Sequence, residues 1–196
     1  MYGIDRNTSA AHDDQQAPAP AIAGVRSVFL IGLMGAGKTT VGKHLARLLK
    51  FEFVDADHEI EARTGTSIPV IFEIEGEDGF RRREAAVIAD LVKRPAIVLA
   101  TGGGAVLSPG NREQLRANGT VTYLRADLDT LVSRTRRSTH RPLLNTGDPR
   151  VRLAALLDAR HPLYMQTADI VVDTGHGSAQ AVAKAIVARL REASHA

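Results

Sequence analysis

The chain has 196 residues, 44% of them hydrophobic and 24% charged, with a formal charge of +3; these values fit one globular domain with a full core. Cysteine is absent, which excludes disulfides, thiolate nucleophiles and cysteine metal sites and makes the reducing cytoplasm the expected location. No apolar run reaches the roughly 18 residues of a membrane span, MYGIDRNTSAAHDD lacks the basic-then-apolar order of a signal peptide, and so small a charge does not by itself imply a nucleic-acid binder.

Residues 1–24 run to Ala, Pro, Gln, Asp and Asn and have no core face, so a solvated tail is expected, with residues 25–196 as a single domain. From Val25 the chain alternates. SVFLIG reads as a buried strand and KTTVGKHLARLLK as a helix with Val41, Leu45, Leu48 and Leu49 on one face. FEFV is a short strand. HEIEART and IPVIFEIEGEDGFRRREAAVIADLVK read as helical, with breaks near Gly65 and Gly76. AIVLA is a strand that ends in Gly102, Gly103 and Gly104. PGNREQLRAN is a helix opened by Pro109, and TVTYLRA is a strand. LDTLVSRTRR and VRLAALLDARHPLYMQ are helices around a polar break, DIVVD is the last strand, and SAQAVAKAIVARLREA is the closing helix. Apolar strands separated by helices predict a parallel sheet of five strands covered on both faces, a three-layer α/β/α fold. Ligands of such sheets bind beyond the C-terminal ends of the strands.

The chemical candidates sit at those ends. Gly32-Leu33-Met34-Gly35-Ala36-Gly37-Lys38-Thr39 matches G-x-x-x-x-G-K-[ST], with a strand before it and a helix after it. Glycines let backbone N–H groups converge on phosphate oxygens at the positive end of a helix dipole. Lys38 would reach the β- and γ-phosphates of ATP, and the Thr39 hydroxyl would bind Mg²⁺. FEFV ends in Asp55-Ala56-Asp57. Two carboxylates one residue apart can serve different ligands, one the metal and one an acceptor hydroxyl. Capping of the next helix is the competing use of either aspartate. The glycine triplet allows close approach of a ligand or makes a plain turn. In GFRRREAAV, Arg81 and Glu84 lie three apart and can pair, while a solvated run is the default reading of Arg81, Arg82 and Arg83. SRTRRSTHRPLL carries Arg134, Arg136, Arg137 and Arg141 with no acid among them. Arginine forks match phosphate and carboxylate. The polar stretch from Ser138 to Pro149 reads as a mobile lid, spanning about residues 135–149, opposite the P-loop. RNA is the rival partner of such a patch. With aromatics at 4% and no Trp, there is little on which to stack bases.

From about Val28 onward the order GLMGAGKTTVG, DADHEIEARTG, FRRREA, GGGAV, HRPLL, RHPLY, VDT resembles the shikimate kinase family. The resemblance implies an adenylate-kinase-like P-loop fold and transfer of the ATP γ-phosphate to the 3-hydroxyl of shikimate. It implies that Gly35, Ala36, Gly37, Lys38, Thr39 and Thr40 hold ATP, with Arg134 along the adenine and Arg141 of the lid at the transferring phosphate. Thr39 and Asp55 would hold Mg²⁺. Asp57 would take the shikimate hydroxyls; Gly102, Gly103 and Gly104 would lie against the substrate, and Arg81 and Arg160 would clamp its carboxylate. The catalytic groups would be Lys38, Asp57 and Arg141, acting in a monomer that needs neither nucleic acid nor membrane. Three positions depart from the family pattern: Ala56 stands where Thr is usual, Ala100 where Ser is expected near the metal, and GHGSAQ after VDT lacks the usual Pro. A gluconate-kinase-like or nucleotide-kinase-like enzyme is the nearest alternative, and an ATP-dependent nucleic-acid-binding switch is the alternative of a different class.

Overall fold

The structure, a computed structural model, describes residues 22–135, 148–175 and 177–194. Its strands are β1 (Val28–Ile31), β2 (Glu52–Asp55), β3 (Ile97–Ala100), β4 (Thr120–Arg125) and β5 (Ile170–Asp173). Its α-helices are α1 (Lys38–Leu49), α2 (Ala56–Thr64), α3 (Ile68–Leu91), α4 (Pro109–Asn118), α5 (Leu128–Thr135), α6 (Pro149–Thr167) and α7 (Ala179–Ser194), and a 3₁₀ turn spans Ala105–Leu107. β1 and β3 are buried along their whole length, as strands with helices on both faces must be.

The strands pair in parallel in the order β2-β3-β1-β4-β5. Right-handed crossovers then place α1, which leaves β1 toward the β2 edge, on one face and the helices that lead back toward β5 on the other. The packing agrees: α1 lies against α7, α3 against α4, and α5 against α6. The expected three-layer α/β/α sheet of five parallel strands is therefore the observed one. The chain reverses its direction of travel across the sheet between β1 and β3, and ligands bind at such a switch point. The register brings Leu30 and Asp55 level with Ala100, so the loops after β1, β2 and β3 open on one side.

Element boundaries follow local chemistry. Asp55 caps α2 by accepting from the Asp57 N–H at 3.1 Å, and Ser108 and Asp148 cap α4 and α6, each followed by Pro at the first helical position. α3 is broken at Gly76 (φ 69°, ψ −174°), where the sequence predicts a break. Arg83 pairs with Glu75 across this break. Among the described residues, no helix is long and apolar enough to cross a membrane.

Two boundaries differ from expectation. The tail was expected to reach residue 24, yet Ile22 is 7% exposed and packs in the core with Val25. An apolar side chain close to the core buries itself even inside a polar stretch. Residues 1–21 lie outside the described residues. Removing residues 2–20 should leave the melting temperature unchanged, whereas Ile22→Ala should cost about 2 kcal/mol and lower it by about 4–8 °C. Differential scanning calorimetry of the two variants decides this, and equal melting curves would refute it. The lid range, about 135–149, begins and ends in helix: Thr135 is the buried last residue of α5, and Pro149 opens α6. Arg136, Arg137 and Arg141 lie outside the described residues.

Candidate active site

The loop between β1 and α1 forms a phosphate cradle because its glycines adopt conformations that side chains disfavour. Gly35 and Gly37 have φ of 84° and 95°, and a Cβ at Gly35 would crowd the Leu131 carbonyl oxygen at 3.2 Å. Ala36 is buried at 1% exposure, fixing the loop to the core. Lys38 donates from Nζ to the Gly32 and Leu33 carbonyls at 2.7 and 3.2 Å, so its ammonium is held over the cradle. Thr40 follows on the exposed side of α1.

The Thr39 hydroxyl donates to Asp55 Oδ2 at 2.9 Å. Asp55 divides its two oxygens: Oδ1 caps α2, the competing use, and Oδ2 accepts from the P-loop threonine. A hydroxyl and a carboxylate side by side at the mouth of a phosphate loop suit Mg²⁺, a hard cation that takes one or two protein oxygens and completes its shell with phosphate and water. Among the described residues, no group of three or more His, Cys, Asp or Glu could hold a metal ion by itself. β3 adds no oxygen to this corner. Ala100 stands where the family pattern expects Ser, and the Thr101 hydroxyl turns inward to donate to the Leu30 carbonyl at 3.0 Å.

The cradle opens into a cavity of about 740 Å³ whose far side is lined by Asp57, Phe72, Arg81, Glu84, Gly103 and Arg160. Of the three successive arginines, Arg81 turns inward while Arg82 and Arg83 stay exposed. The solvated reading therefore holds for two of them and fails for Arg81. Its Nη1 meets Glu84 Oε2 at 2.7 Å, and its Nη2 meets Glu77 at 3.0 Å. Glu84 is buried. Burial pushes its carboxyl pKa up, and the Arg81 charge opposes that rise. Its Oε1 makes no hydrogen bond, leaving an acceptor between Arg81 and Asp57. The sequence read Glu84 as a partner of Arg81 but not as part of the pocket wall.

The glycine triplet turns the chain where neighbouring side chains approach it closely. A Cβ on Gly102 would overlap the Glu84 carboxylate and crowd Asp57 Oδ1 at 3.0 Å, and one on Gly104 would overlap the Arg81 guanidinium. Both side chains occupy the space that the glycines vacate. Gly104→Ala should therefore displace Arg81 and weaken binding of an anionic acceptor by about tenfold, the scale of a charged hydrogen bond, while ATP affinity stays within about twofold. Isothermal calorimetry with each ligand measures this, and an unshifted acceptor affinity would remove the close approach from the site. Arg160, 5% exposed, reaches in from α6 and donates to the Gly103 carbonyl at 3.2 Å.

Arg134, at the end of α5, donates to the Thr174 carbonyl at 2.6 Å and to the Gly35 carbonyl at 3.4 Å. It thereby ties the P-loop to the segment after β5, beside the cradle. Thr174 was not anticipated as part of this corner. Tyr164, whose hydroxyl donates to the Gly103 carbonyl at 2.6 Å, was not anticipated either, although RHPLY places it four residues after Arg160 on the same helical face. Of the sequence-predicted site residues within the described segments, all but Ala36, which is buried in the core, line one cleft; Arg141 lies outside those segments.

Comparison with known proteins agrees with this geometry. A family model described as shikimate kinase matches residues 34–191. The shikimate kinase of Thiobacillus denitrificans is 57% identical over 164 residues, covering 84% of this chain and 90% of that protein. That of Nitrosospira multiformis is 52% identical over 187 residues, covering 95% and 96%. Among solved structures, the shikimate kinase from Acinetobacter baumannii in complex with shikimate superposes with a TM-score of 0.85 at 47% identity, covering 87% of this chain and 95% of the other. With a match that runs from the P-loop almost to the end of the closing helix, the chain belongs to the shikimate kinase family.

Proposed function

We infer that this chain transfers the γ-phosphate of ATP to the 3-hydroxyl of shikimate, giving shikimate 3-phosphate and ADP. The observation that carries the reading is the shared cleft: a P-loop with Lys38, Thr39 and Asp55 opens directly onto a pocket with the Asp57 carboxylate and two inward arginines, Arg81, paired with Glu84, and Arg160. A phosphate cradle alone would fit any nucleotide kinase. The opposing pocket matches a small hydroxylated carboxylate, because arginine forks pair with a carboxylate and an aspartate accepts from hydroxyls.

In this mechanism Arg81 and Arg160 fix the acceptor by its carboxylate, and the Gly102–Gly104 backbone limits how it lies. Asp57 orients the 3-hydroxyl and accepts its proton as the oxygen attacks the γ-phosphorus in line with the departing ADP oxygen. The new O–P bond forms as the β,γ-bridging bond breaks. Lys38 neutralises charge on the β- and γ-phosphoryl oxygens, and the P-loop amides of Gly35, Ala36, Gly37, Thr39 and Thr40 cradle them. Thr39 and Asp55 would hold Mg²⁺, which when bound neutralises charge on the β- and γ-phosphates. Arg134 places the nucleoside end, and the family resemblance assigns Arg141 to the transferring phosphate. The same reading is of a monomeric cytoplasmic enzyme that needs neither nucleic acid nor membrane; the absence of cysteine suits that compartment.

A coupled ADP-release assay with shikimate, gluconate and AMP as acceptors tests the reading. Turnover with shikimate alone, dependent on Mg²⁺, is the expected result. Turnover with gluconate or AMP but not shikimate would overturn it, and ATP binding without turnover on any acceptor would favour a binding-only switch.

A further inference from the structure

Three consecutive glycines form the wall of the acceptor pocket, and glycine imposes little backbone preference of its own. A wall made of such residues holds a shape only if something outside it does the holding. From the P-loop side, Gly103 lies close to the main chain: a Cβ there would come within 3.4 Å of the Met34 nitrogen and 3.6 Å of the Gly32 oxygen. From the other side, two side chains of α6 converge on its carbonyl oxygen, Arg160 at 3.2 Å and the Tyr164 hydroxyl at 2.6 Å.

These two donors are not equivalent. In the proposed mechanism Arg160 also serves the substrate carboxylate, so its guanidinium is shared between ligand and loop. Tyr164 is fully buried and has the loop as its hydrogen-bond acceptor. Its ring is fixed by stacking on Tyr123 of β4, with centroids 4.9 Å apart and planes inclined by 25°. The Tyr123 hydroxyl meets His161 Nδ1 at 3.1 Å and takes no part in the bond to Gly103. The hydroxyl of Tyr164 therefore has a set position. Burial pushes its pKa up, which keeps it a proton donor throughout the neutral range.

The peptide between Gly103 and Gly104 is planar and trans, so its C=O and N–H point in opposite directions. A carbonyl pinned toward α6 fixes the direction of the Gly104 N–H. It also fixes the position of Gly104 against the Arg81 guanidinium, where no side chain fits.

We propose that Tyr164 is a positioning residue for the acceptor: its hydroxyl anchors the Gly103 carbonyl and thereby sets the Gly102–Gly104 backbone and the seat of Arg81 against which shikimate is held. The proposal rests on the shikimate reading of the pocket. It predicts an effect confined to the acceptor half of the cleft, since Tyr164 touches neither the P-loop lysine nor the Thr39–Asp55 pair.

The test compares Tyr164→Phe with Tyr123→Phe in the full chain. Each variant removes one buried hydroxyl and keeps its ring in the same stack, but only the first loses a bond to Gly103. Shikimate and ATP affinities are measured by calorimetry, KM and kcat by ADP release, and folding by melting temperature. Tyr164→Phe should raise Kd and KM for shikimate by about three- to tenfold, the scale of one buried neutral hydrogen bond. ATP affinity should stay within about twofold, and kcat should fall by less than KM rises. Tyr123→Phe should leave shikimate affinity within about twofold. Unchanged shikimate affinity in Tyr164→Phe would overturn the proposal, as would an equal loss for ATP and shikimate or an equal loss in Tyr123→Phe. Absence of shikimate binding by the unmodified chain would overturn the substrate reading itself, a separate result seen before any variant is made.

Discussion

Lys38→Met should lower kcat by a hundredfold or more. In the structure the ammonium lies over the cradle, hydrogen-bonded to the Gly32 and Leu33 carbonyls, and a γ-phosphate entering the loop offers it a fully charged acceptor instead. A preorganised charge aimed at oxygens that become more negative during transfer acts mainly on the transition state, and one such donor is worth about 3–4 kcal/mol. Methionine keeps the length of the chain and removes the charge. The same substitution leaves two backbone carbonyls short of a donor, so the melting temperature should also fall by a few degrees while the fold survives. Steady-state kinetics at saturating ATP and shikimate, together with circular dichroism, provide the check. A folded variant that retains more than about a tenth of wild-type kcat would be incompatible with this P-loop chemistry.

Asp57→Asn and Asp55→Asn should fail in different ways. Asp57 faces Glu84 and the glycine wall, on the acceptor side of the cleft. Asparagine preserves its shape but cannot take a hydroxyl proton, so kcat should fall by about 10²–10⁴-fold and shikimate affinity should weaken. Asp55 divides its oxygens between the Thr39 hydroxyl and the first turn of α2. Asparagine is an equally good N-cap, so α2 should persist in Asp55→Asn. The lost charge should instead raise the Mg²⁺ concentration needed for half-maximal activity. Titrating Mg²⁺ against initial rate in both variants separates the roles, and superimposable titrations would show that the two carboxylates are not divided between metal and acceptor.

The parts of the site legible in the sequence are those whose geometry is local. The P-loop is one contiguous stretch, and its cradle follows from where the glycines stand relative to a strand and a helix. Asp55 and Asp57 were legible for the same reason, although the sequence left capping as a rival use of either, and in the structure Asp55 caps α2 while its other oxygen accepts from Thr39. The residues that were read less well depend on contacts distant in sequence. The sequence alone does not say which of Arg81, Arg82 and Arg83 turns inward; the choice is made by a buried Glu84 and by the space left beside Gly104. Tyr164 and Gly103 are 61 residues apart, and Arg134 meets Thr174 across 40. Neither pair has a local signature. Ile22 lies in a stretch whose composition reads as tail, and only its packing in the core reveals it as part of the domain.

By itself the sequence determined the alternation of apolar strands and amphipathic helices, and with it a parallel sheet covered on both faces. It also determined the phosphate cradle, because hydrophobic period and glycine placement act over a few residues. The strand order β2-β3-β1-β4-β5 was decided only in the tertiary structure, since a short strand's own residues carry no mark of its neighbours. That order sets the loops after β1, β2 and β3 side by side. The same packing brings Arg160 and Tyr164 of α6 onto Gly103. A pocket for a hydroxylated carboxylate exists only after those separate elements meet, because each supplies one or two of its groups and none supplies the enclosure.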